Sequence, residues 1–157
     1  ILAWEDVNQC QITKNDVIVG IAASGSTPYV IGAIKKAEEM GLVTAGISCN
    51  PDSPLSKASQ FPITPLVGPE FVTGSTRMKS GTAQKMVLNM ISTCLMITLG
   101  HVKGNKMVDM QLSNNKMVER GTRMICETIN VSEQEGKSLL LKHGSVRQAL
   151  NAYNGEE

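Results

Sequence analysis

This sequence has few aromatic side chains and no excess of charge of either sign. Phe, Tyr and Trp together make up 3% of the 157 residues, and 15 basic residues stand against 14 acidic ones, so the formal net charge is +1. Proteins that bind nucleic acid need clustered basic charge, and proteins that read single strands stack the bases on aromatic rings. The composition therefore predicts no nucleic-acid partner.

A membrane-spanning run and a signal peptide are also missing. The most apolar segment, residues 86–99, contains four polar side chains, and it is shorter than the roughly 20 residues that cross a bilayer. The first six residues include two acids and no basic segment, unlike a signal peptide. We therefore expect no membrane partner and interpret residues 86–99 as a buried core helix. Because position 1 is not Met, we expect the chain to be a piece of a longer protein.

The cysteines lack the spacing of a metal site or a disulfide framework. Cys10, Cys49, Cys94 and Cys126 lie far apart, and no CxxC pair occurs. Structural zinc sites and small disulfide-rich folds both need closer spacing. The sequence therefore predicts reduced thiols, a cytoplasmic location and no bound metal.

The first half of the sequence has the order of a βαβ unit. Residues 16–23, DVIVGIAA, form an apolar run that predicts a strand covered on both faces. Pro28 then stands where a first helical turn tolerates proline, and apolar residues recur at helical spacing up to Gly41. Residues 42–49 form a second apolar run. This order predicts an α/β fold with a parallel strand pair.

The second half alternates loops and helices. We expect a short peripheral strand within residues 61–66, a loop over residues 67–79, and helices over residues 81–99 and 113–129. Ser132 followed by Glu135 predicts a capping box, and Ser145 is placed to cap a further short helix. The tail is therefore interpreted as a small helical appendage.

The first candidate site is a small-residue loop between the predicted first strand and helix. It contains Ser24, Gly25, Ser26 and Thr27. Ligands of open α/β sheets gather at the carboxyl ends of strands, and the free N–H groups and dipole of a helix N-terminus favour an anion. The loop matches neither the dinucleotide fingerprint nor the Walker loop, so phosphate is the expected ligand. The alternative is that the hydroxyls cap a structural helix.

The second candidate site is a glycine-flanked loop within residues 68–85. It gathers Glu70, Ser75, Thr76 and Lys79, together with Arg77. Glu70 is able to hold sugar hydroxyls or move a proton, and Arg77 or Lys79 is able either to pair with phosphate or simply to anchor the loop. The alternative is that Ser75 or Ser80 caps the following helix and the charges are only solvated. If the loop binds a ligand, we expect it to face the same pocket as the first site.

Three segments and the tail carry a resemblance to a known family. The segments GIAASGSTPYVIGA, GISCNPDSPL and GPEFVTGSTRMKSGTAQKMVLNMIST resemble the second half of the sugar isomerase (SIS) domain of N-acetylmuramic acid 6-phosphate etherases. The related glucokinase regulatory protein shares the third pattern. The tail LLLKHGSVRQAL resembles the ubiquitin-associated-like appendage of the etherases. The resemblance implies part of a three-layer αβα SIS domain over residues 1–112 and a helical tail over residues 113–157.

The resemblance also implies a function. Members of that family are homodimeric lyases without metal or organic cofactor. They cleave the D-lactyl ether of N-acetylmuramic acid 6-phosphate into N-acetylglucosamine 6-phosphate and D-lactate during peptidoglycan recycling, a branch of carbohydrate metabolism. Carried over by position, the substrate-binding residues are Ser24, Gly25, Ser26, Thr27, Glu70, Ser75, Thr76 and Lys79.

The catalytic acid and base of the family are expected upstream of Asp16, and no matching motif occurs before that residue. The chain alone is therefore expected to lack turnover. Two alternatives remain open: a non-catalytic sugar-phosphate-binding regulator of the glucokinase regulatory protein type, and an aldose–ketose isomerase. TPYVIG and TGSTRMKSGTAQK favour the etherase.

Overall fold

The computed structural model describes residues 2–155, and the chain divides after Met90 into two compact units. The helices are α1 Leu2–Asn8, α2 Pro28–Glu39, α3 Pro54–Ala58, α4 Lys79–Thr98, α5 Asn115–Ile129, α6 Glu133–His143 and α7 Val146–Asn154. The strands are β1 Val17–Ile21, β2 Val43–Ile47, β3 Phe61–Ile63, β4 Val102–Lys103 and β5 Lys106–Met107.

The first unit is built on a parallel sheet of three strands in the order β1-β2-β3. Val17 pairs with Val43 and Ile21 with Ile47, so β1 and β2 run in register over their whole length. This confirms the predicted βαβ unit. The third strand lies at the edge, as expected, where Pro62 can be accommodated.

Glycines allow α2 and α3 to pack closely on one face of the sheet. A Cβ atom at Gly20 would lie 2.8 Å from side-chain atoms of Val30 and Ile34, and one at Gly46 would lie 2.3 Å from Ser59 Oγ. The core beneath these helices consists of Ala22, Ile34, Leu55 and Ala58. Because Gly20 and Gly46 have no side chain on this face of the sheet, the aliphatic side chains of the helices fill the space above them.

The opposite face of the sheet is exposed. Val17, Val19, Ile21, Val43 and Phe61 are between 40% and 60% exposed. The prediction of a strand covered on both faces is therefore wrong for this chain, because α2 and α3 pack against the same side of the sheet.

The predicted burial of the helix over residues 86–99 is also wrong. In α4 the buried residues are Ser80 and Val87, whereas Met86, Met90 and Leu95 are more than half exposed. Apolar residues occur on every side of this helix, so a single packed neighbour cannot bury them all.

The second unit packs the hairpin β4–β5 and the helices α5, α6 and α7 around one aliphatic core. Its buried members are Val108, Met110, Ile125, Leu140, Val146 and Ala149. A Cβ atom at Gly121 would lie 2.7 Å from Leu140 Cδ2, so glycine allows α5 and α6 to approach closely. The predicted helical appendage is confirmed, and Ser132 and Ser145 cap α6 and α7 as expected.

An ion-pair cluster fastens the hairpin region to α7. Arg147 donates from Nε to both carboxylate oxygens of Asp109, at 2.8 and 3.0 Å, and from a terminal nitrogen to the Gly100 carbonyl. His101 Nδ1 lies 2.9 Å from Asp109 Oδ2. The hydrogen bond from Arg147 is the main cause that lowers the pKa of Asp109. The cluster thus holds the residues before β4 and after β5 together and attaches them to α7.

The β4–β5 hairpin and the helix α1 were not predicted from the sequence. The hairpin turns through Gly104, whose φ is +61°, and Asn105; a Gly-Asn pair between short strands is a recognised hairpin signal. The short helix α1 contacts α2, where Tyr29 Oη donates to Asp6 Oδ2 at 2.5 Å. No helix within residues 2–155 combines the length and apolar character that a bilayer-spanning segment requires.

Candidate functional site

The loop after β1 presents two paired hydroxyls on the surface. Ser24 Oγ lies 2.9 Å from Ser26 Oγ, and the Ser26 N–H donates to Ser24 Oγ at 3.3 Å. Gly25 between them has a φ of +69°, and its N–H donates to the Ala22 carbonyl at 2.9 Å. The turn therefore buries Gly25 and leaves both serines exposed.

The N-terminus of α2 follows this turn directly. Thr27 is the N-cap residue, yet its side chain forms no capping hydrogen bond. Pro28 has no N–H, and the N–H groups of Tyr29 and Val30 precede the first intrahelical bond, which runs from Ile31 to Thr27 at 3.1 Å. Thr27 does not act as the cap that the structural alternative requires. The end of the helix instead presents N–H groups and the positive end of the dipole, an arrangement that favours an anion.

The segment after β2, residues 49–55, forms hydrogen bonds with the backbone of the β1–α2 loop. Cys49 donates its N–H to the Ala23 carbonyl at 2.9 Å, and Leu55 donates its N–H to the Gly25 carbonyl at 2.9 Å. Asn50 Nδ2 lies 3.4 Å from the Ser24 carbonyl oxygen. These contacts were not predicted from the sequence. The available signal was their position at the carboxyl end of the neighbouring parallel strand.

Glu70 closes the N-terminus of α4. Its Oε2 accepts the Lys79 N–H at 3.0 Å, and its Oε1 accepts the Ser80 N–H at 2.9 Å. Lys79 Nζ donates to the Pro69 carbonyl at 2.8 Å. The capping role that the structural alternative gave to Ser75 or Ser80 is filled by Glu70. A carboxylate at this position also compensates the helix dipole.

Cys49 connects the two candidate sites. Its thiol donates to the Ser80 carbonyl at 3.7 Å, while its N–H binds the first loop. Gln84 Nε2 also donates to the Ile47 carbonyl at 3.3 Å. The N-terminus of α4 is thereby attached to the carboxyl end of β2, beside the loop that contains Gly25.

The predicted residues thus form two groups. Ser24, Gly25, Ser26 and Thr27 are contiguous at the β1–α2 turn, and Glu70 and Lys79 meet at the start of α4. Ser75 and Thr76 lie in the turn before α4, half-buried and exposed respectively. The hydrogen bonds that relate the groups pass through Cys49. A shared pocket between them stays a prediction.

We expect the cap at Glu70 to depend on pH. The N–H groups of Ser80 and Lys79 lower the pKa of Glu70 from its ordinary value of 4.5. Because the folded pKa lies below the unfolded one, the stabilisation is complete above 4.5 and is lost as the pH falls through the lowered value. In a proton NMR titration, the Ser80 amide resonance should move upfield as the pH is lowered, with its midpoint at a pH below 4.5.

The matched control is Glu70→Gln, which keeps one acceptor oxygen but does not titrate in this range. Its Ser80 amide resonance should be flat below neutral pH. A midpoint at or above the ordinary carboxyl value, or the same titration in the Gln variant, would show that Glu70 does not cap α4.

Comparisons with known proteins agree on the family. Residues 5–93 match the family of SIS domains, and residues 104–152 match the family described as the C-terminal lid domain of glucokinase regulatory protein. Two curated relatives are N-acetylmuramic acid 6-phosphate etherases. That of Christiangramia forsetii is 60% identical over 98% of this chain and 56% of its own length. That of Bacteroides thetaiotaomicron is 57% identical over 96% of this chain and 54% of its own length. The chain spans about half the length of these relatives.

A solved structure has a similar fold. The Vibrio vulnificus NanR protein complexed with ManNAc-6P superposes with a TM-score of 0.52, at 21% identity over 62% of this chain and 36% of that chain. At this identity the likeness shows the fold alone. With the SIS match over residues 5–93, it confirms the α/β fold predicted from the sequence.

Proposed function

The chain belongs to the SIS domain family, and from this premise we propose that it is the phosphosugar-binding part of an N-acetylmuramic acid 6-phosphate etherase. The etherase relatives, at 54–60% identity over most of this chain, support this assignment. The reaction is a lyase reaction: the D-lactyl ether bond is cleaved by elimination, and water is then added. It releases N-acetylglucosamine 6-phosphate and D-lactate in peptidoglycan recycling.

The observation that carries this proposal is the uncapped N-terminus of α2 beside two exposed serine hydroxyls. In the proposed complex the phosphate accepts hydrogen bonds from the hydroxyls of Ser24, Ser26 and Thr27. Gly25 allows the backbone to approach the phosphate oxygens, as small residues do at other phosphate loops. The helix dipole adds a favourable electrostatic contribution.

Glu70, Ser75, Thr76 and Lys79 are proposed to contact the sugar. Each carboxylate oxygen of Glu70 already accepts one backbone N–H, but an ionised carboxylate has about four acceptor sites. A sugar hydroxyl can therefore still donate to Glu70 while α4 remains capped. Lys79 is held by the Pro69 carbonyl, and its ammonium group has two further hydrogens for a ligand.

The proton transfers need an acid and a base. In the proposed reaction a base removes the proton next to the open-chain aldehyde, and an acid protonates the departing ether oxygen. We assign neither role to a residue of this chain. The part described here binds and orients the phosphorylated end of the substrate.

The organisation of the protein is also part of the proposal. We propose a cytoplasmic homodimer, with an SIS part over residues 1–112 and a ubiquitin-associated-like tail over residues 113–157. The exposed apolar face of the sheet supports a further packing surface. The lid-domain match over residues 104–152 is compatible with a separate C-terminal module.

A regulator is the second candidate function, because the lid-domain match names glucokinase regulatory protein. In that case the protein binds a sugar phosphate without converting it. The etherase relatives favour the enzyme, since they cover almost the whole of this chain at high identity.

The test is release of D-lactate. The purified protein that carries this chain is incubated with N-acetylmuramic acid 6-phosphate, and D-lactate is measured with a coupled dehydrogenase assay. We expect stoichiometric D-lactate and N-acetylglucosamine 6-phosphate, and no turnover by residues 1–157 alone. Binding without D-lactate would support the regulator, and conversion of an aldose phosphate to a ketose phosphate would support the isomerase.

A further inference from the structure

Three serine hydroxyls form a closed triangle under the first loop. Ser48 Oγ lies 3.1 Å from both Ser53 Oγ and Ser56 Oγ, and the latter two lie 3.0 Å apart. Ser48 is fully buried and Ser53 is 2% exposed. Buried hydroxyls are kept only where hydrogen bonds compensate their loss of water. We call these residues the serine triangle.

The triangle has more contacts than hydrogens. Ser48 Oγ also donates to the Asn50 carbonyl at 3.2 Å, and Ser56 Oγ lies 3.4 Å from Thr64 Oγ1. Each hydroxyl has a single hydrogen. When Ser48 donates to Asn50, only the hydrogens of Ser53 and Ser56 remain for the three sides of the triangle, so at most two sides are hydrogen-bonded at one time. The positions of Asn50 and of the three serines are therefore coupled.

The triangle and the residues beside it make three contacts with the loop of residues 24–27, which we call the phosphate loop. A Cβ atom at Gly25 would lie 2.2 Å from Ser53 Oγ and 3.0 Å from Ser48 Cβ, so these serines pack directly against Gly25. Asn50, held by Ser48, reaches the Ser24 carbonyl with its side-chain nitrogen at 3.4 Å. Leu55, in the turn that Ser53 caps, donates to the Gly25 carbonyl.

We propose that the serine triangle positions the phosphate loop, an inference that rests on the proposed phosphosugar site. The triangle does not touch the ligand. It holds Gly25 and Ser24 through packing, through Asn50 and through Leu55, so that the loop is preformed before an anion binds. A preformed loop binds more tightly because less conformational entropy is lost on binding.

Ser48→Ala is the variant that tests this inference. It removes the hydroxyl that joins the triangle to Asn50, while the cap that Ser53 provides to α3 remains. Calorimetry with N-acetylglucosamine 6-phosphate and with inorganic phosphate should show affinities about tenfold weaker for both ligands, or about 1.4 kcal/mol. Hydrogen exchange at the Leu55 amide should become faster, because its acceptor, the Gly25 carbonyl, is no longer fixed.

Ser59→Ala is the matched control. Ser59 Oγ donates to the Leu55 carbonyl at 2.8 Å and is partly buried, but it does not contact the triangle or the loop by any hydrogen bond described within residues 2–155. Its loss should lower the melting temperature without changing either affinity by more than about twofold. In addition, Asn50→Ala removes the side-chain contact with the Ser24 carbonyl and should weaken binding. The double variant with Ser48→Ala should lose less affinity than the sum of the two single losses, because part of the effect of Ser48 passes through Asn50.

The outcomes separate this inference from the proposed function. If the unaltered protein binds phosphate but not the sugar phosphate, the proposed substrate is wrong. The role of the serine triangle is then tested by the phosphate affinity of Ser48→Ala alone. If it binds neither, Leu55 exchange decides, and unchanged exchange in Ser48→Ala overturns the inference. Equal loss of affinity in Ser48→Ala and Ser59→Ala would also overturn it, since the effect would then be general destabilisation.

Discussion

Replacing Gly25 by Ala is expected to weaken the binding of N-acetylglucosamine 6-phosphate by at least about 100-fold, or about 2.7 kcal/mol. Gly25 has a φ of +69°, and an added Cβ atom would lie 2.2 Å from Ser53 Oγ. The left-handed conformation costs a non-glycine residue about 1–2 kcal/mol. Overpacking against a buried neighbour costs about 1–3 kcal/mol more. The loop must therefore move, and the hydroxyls of Ser24 and Ser26 move with it.

The control for this variant is Gly32→Ala. Gly32 lies within α2, and a Cβ atom there meets nothing within 4 Å. In a helix this change stabilises by up to about 1 kcal/mol, and we expect the affinity to stay within about twofold. The measurement is calorimetric titration of both variants, with the melting temperature recorded for each. Unchanged affinity in Gly25→Ala would show that the phosphate does not bind at this loop.

Leu140→Ala is expected to destabilise the second unit by about 2–5 kcal/mol, the usual cost of removing a fully buried leucine. Leu140 is fully buried and belongs to the core formed with Ile125 and Val146. Its methyl groups lie against Gly121 of α5. Urea unfolding followed by hydrogen exchange at the Ile125 amide measures the loss within this unit.

The neighbouring residue supplies the control. Leu141 is 57% exposed, and Leu141→Ala should change stability by no more than about 0.5 kcal/mol. Gly121→Ala should be unfavourable alone, because its Cβ atom would lie 2.7 Å from Leu140 Cδ2. In the Leu140→Ala background the same change should be favourable, by up to about 1 kcal/mol, since the obstructing methyl group is gone. The same sign in both backgrounds would contradict the packing described here.

The parts of the fold that local chemistry determines were predictable. The apolar run before Ser24, the proline after Thr27 and the second apolar run specify a strand, a helix start and a parallel partner strand. Ser132 and Ser145 were recognised because a capping side chain bonds to an N–H only three residues away. Such signals depend on a few neighbouring residues and not on tertiary contacts.

Other features depend on contacts between distant residues and left no local signal. Glu70 caps a helix that begins nine residues later, so no capping motif reveals it. The side of the sheet on which α3 packs is set by Gly46 and Leu55 together, and an apolar strand looks the same whether one or both faces are covered. Likewise, the contacts of Cys49 with Ala23 and Ser80 require the folded loop.

The central claim is that the β1–α2 loop binds the phosphate of an amino-sugar 6-phosphate, and the most direct measurement is an NMR titration of backbone amides with N-acetylglucosamine 6-phosphate in the protein that carries this chain. The account predicts the largest saturable shifts at Gly25, Ser26, Tyr29 and Val30, with smaller shifts at Lys79 and Ser80. Inorganic phosphate should reproduce the first set but not the second. Saturable shifts confined to other parts of the protein, with these amides unmoved, would contradict the claim.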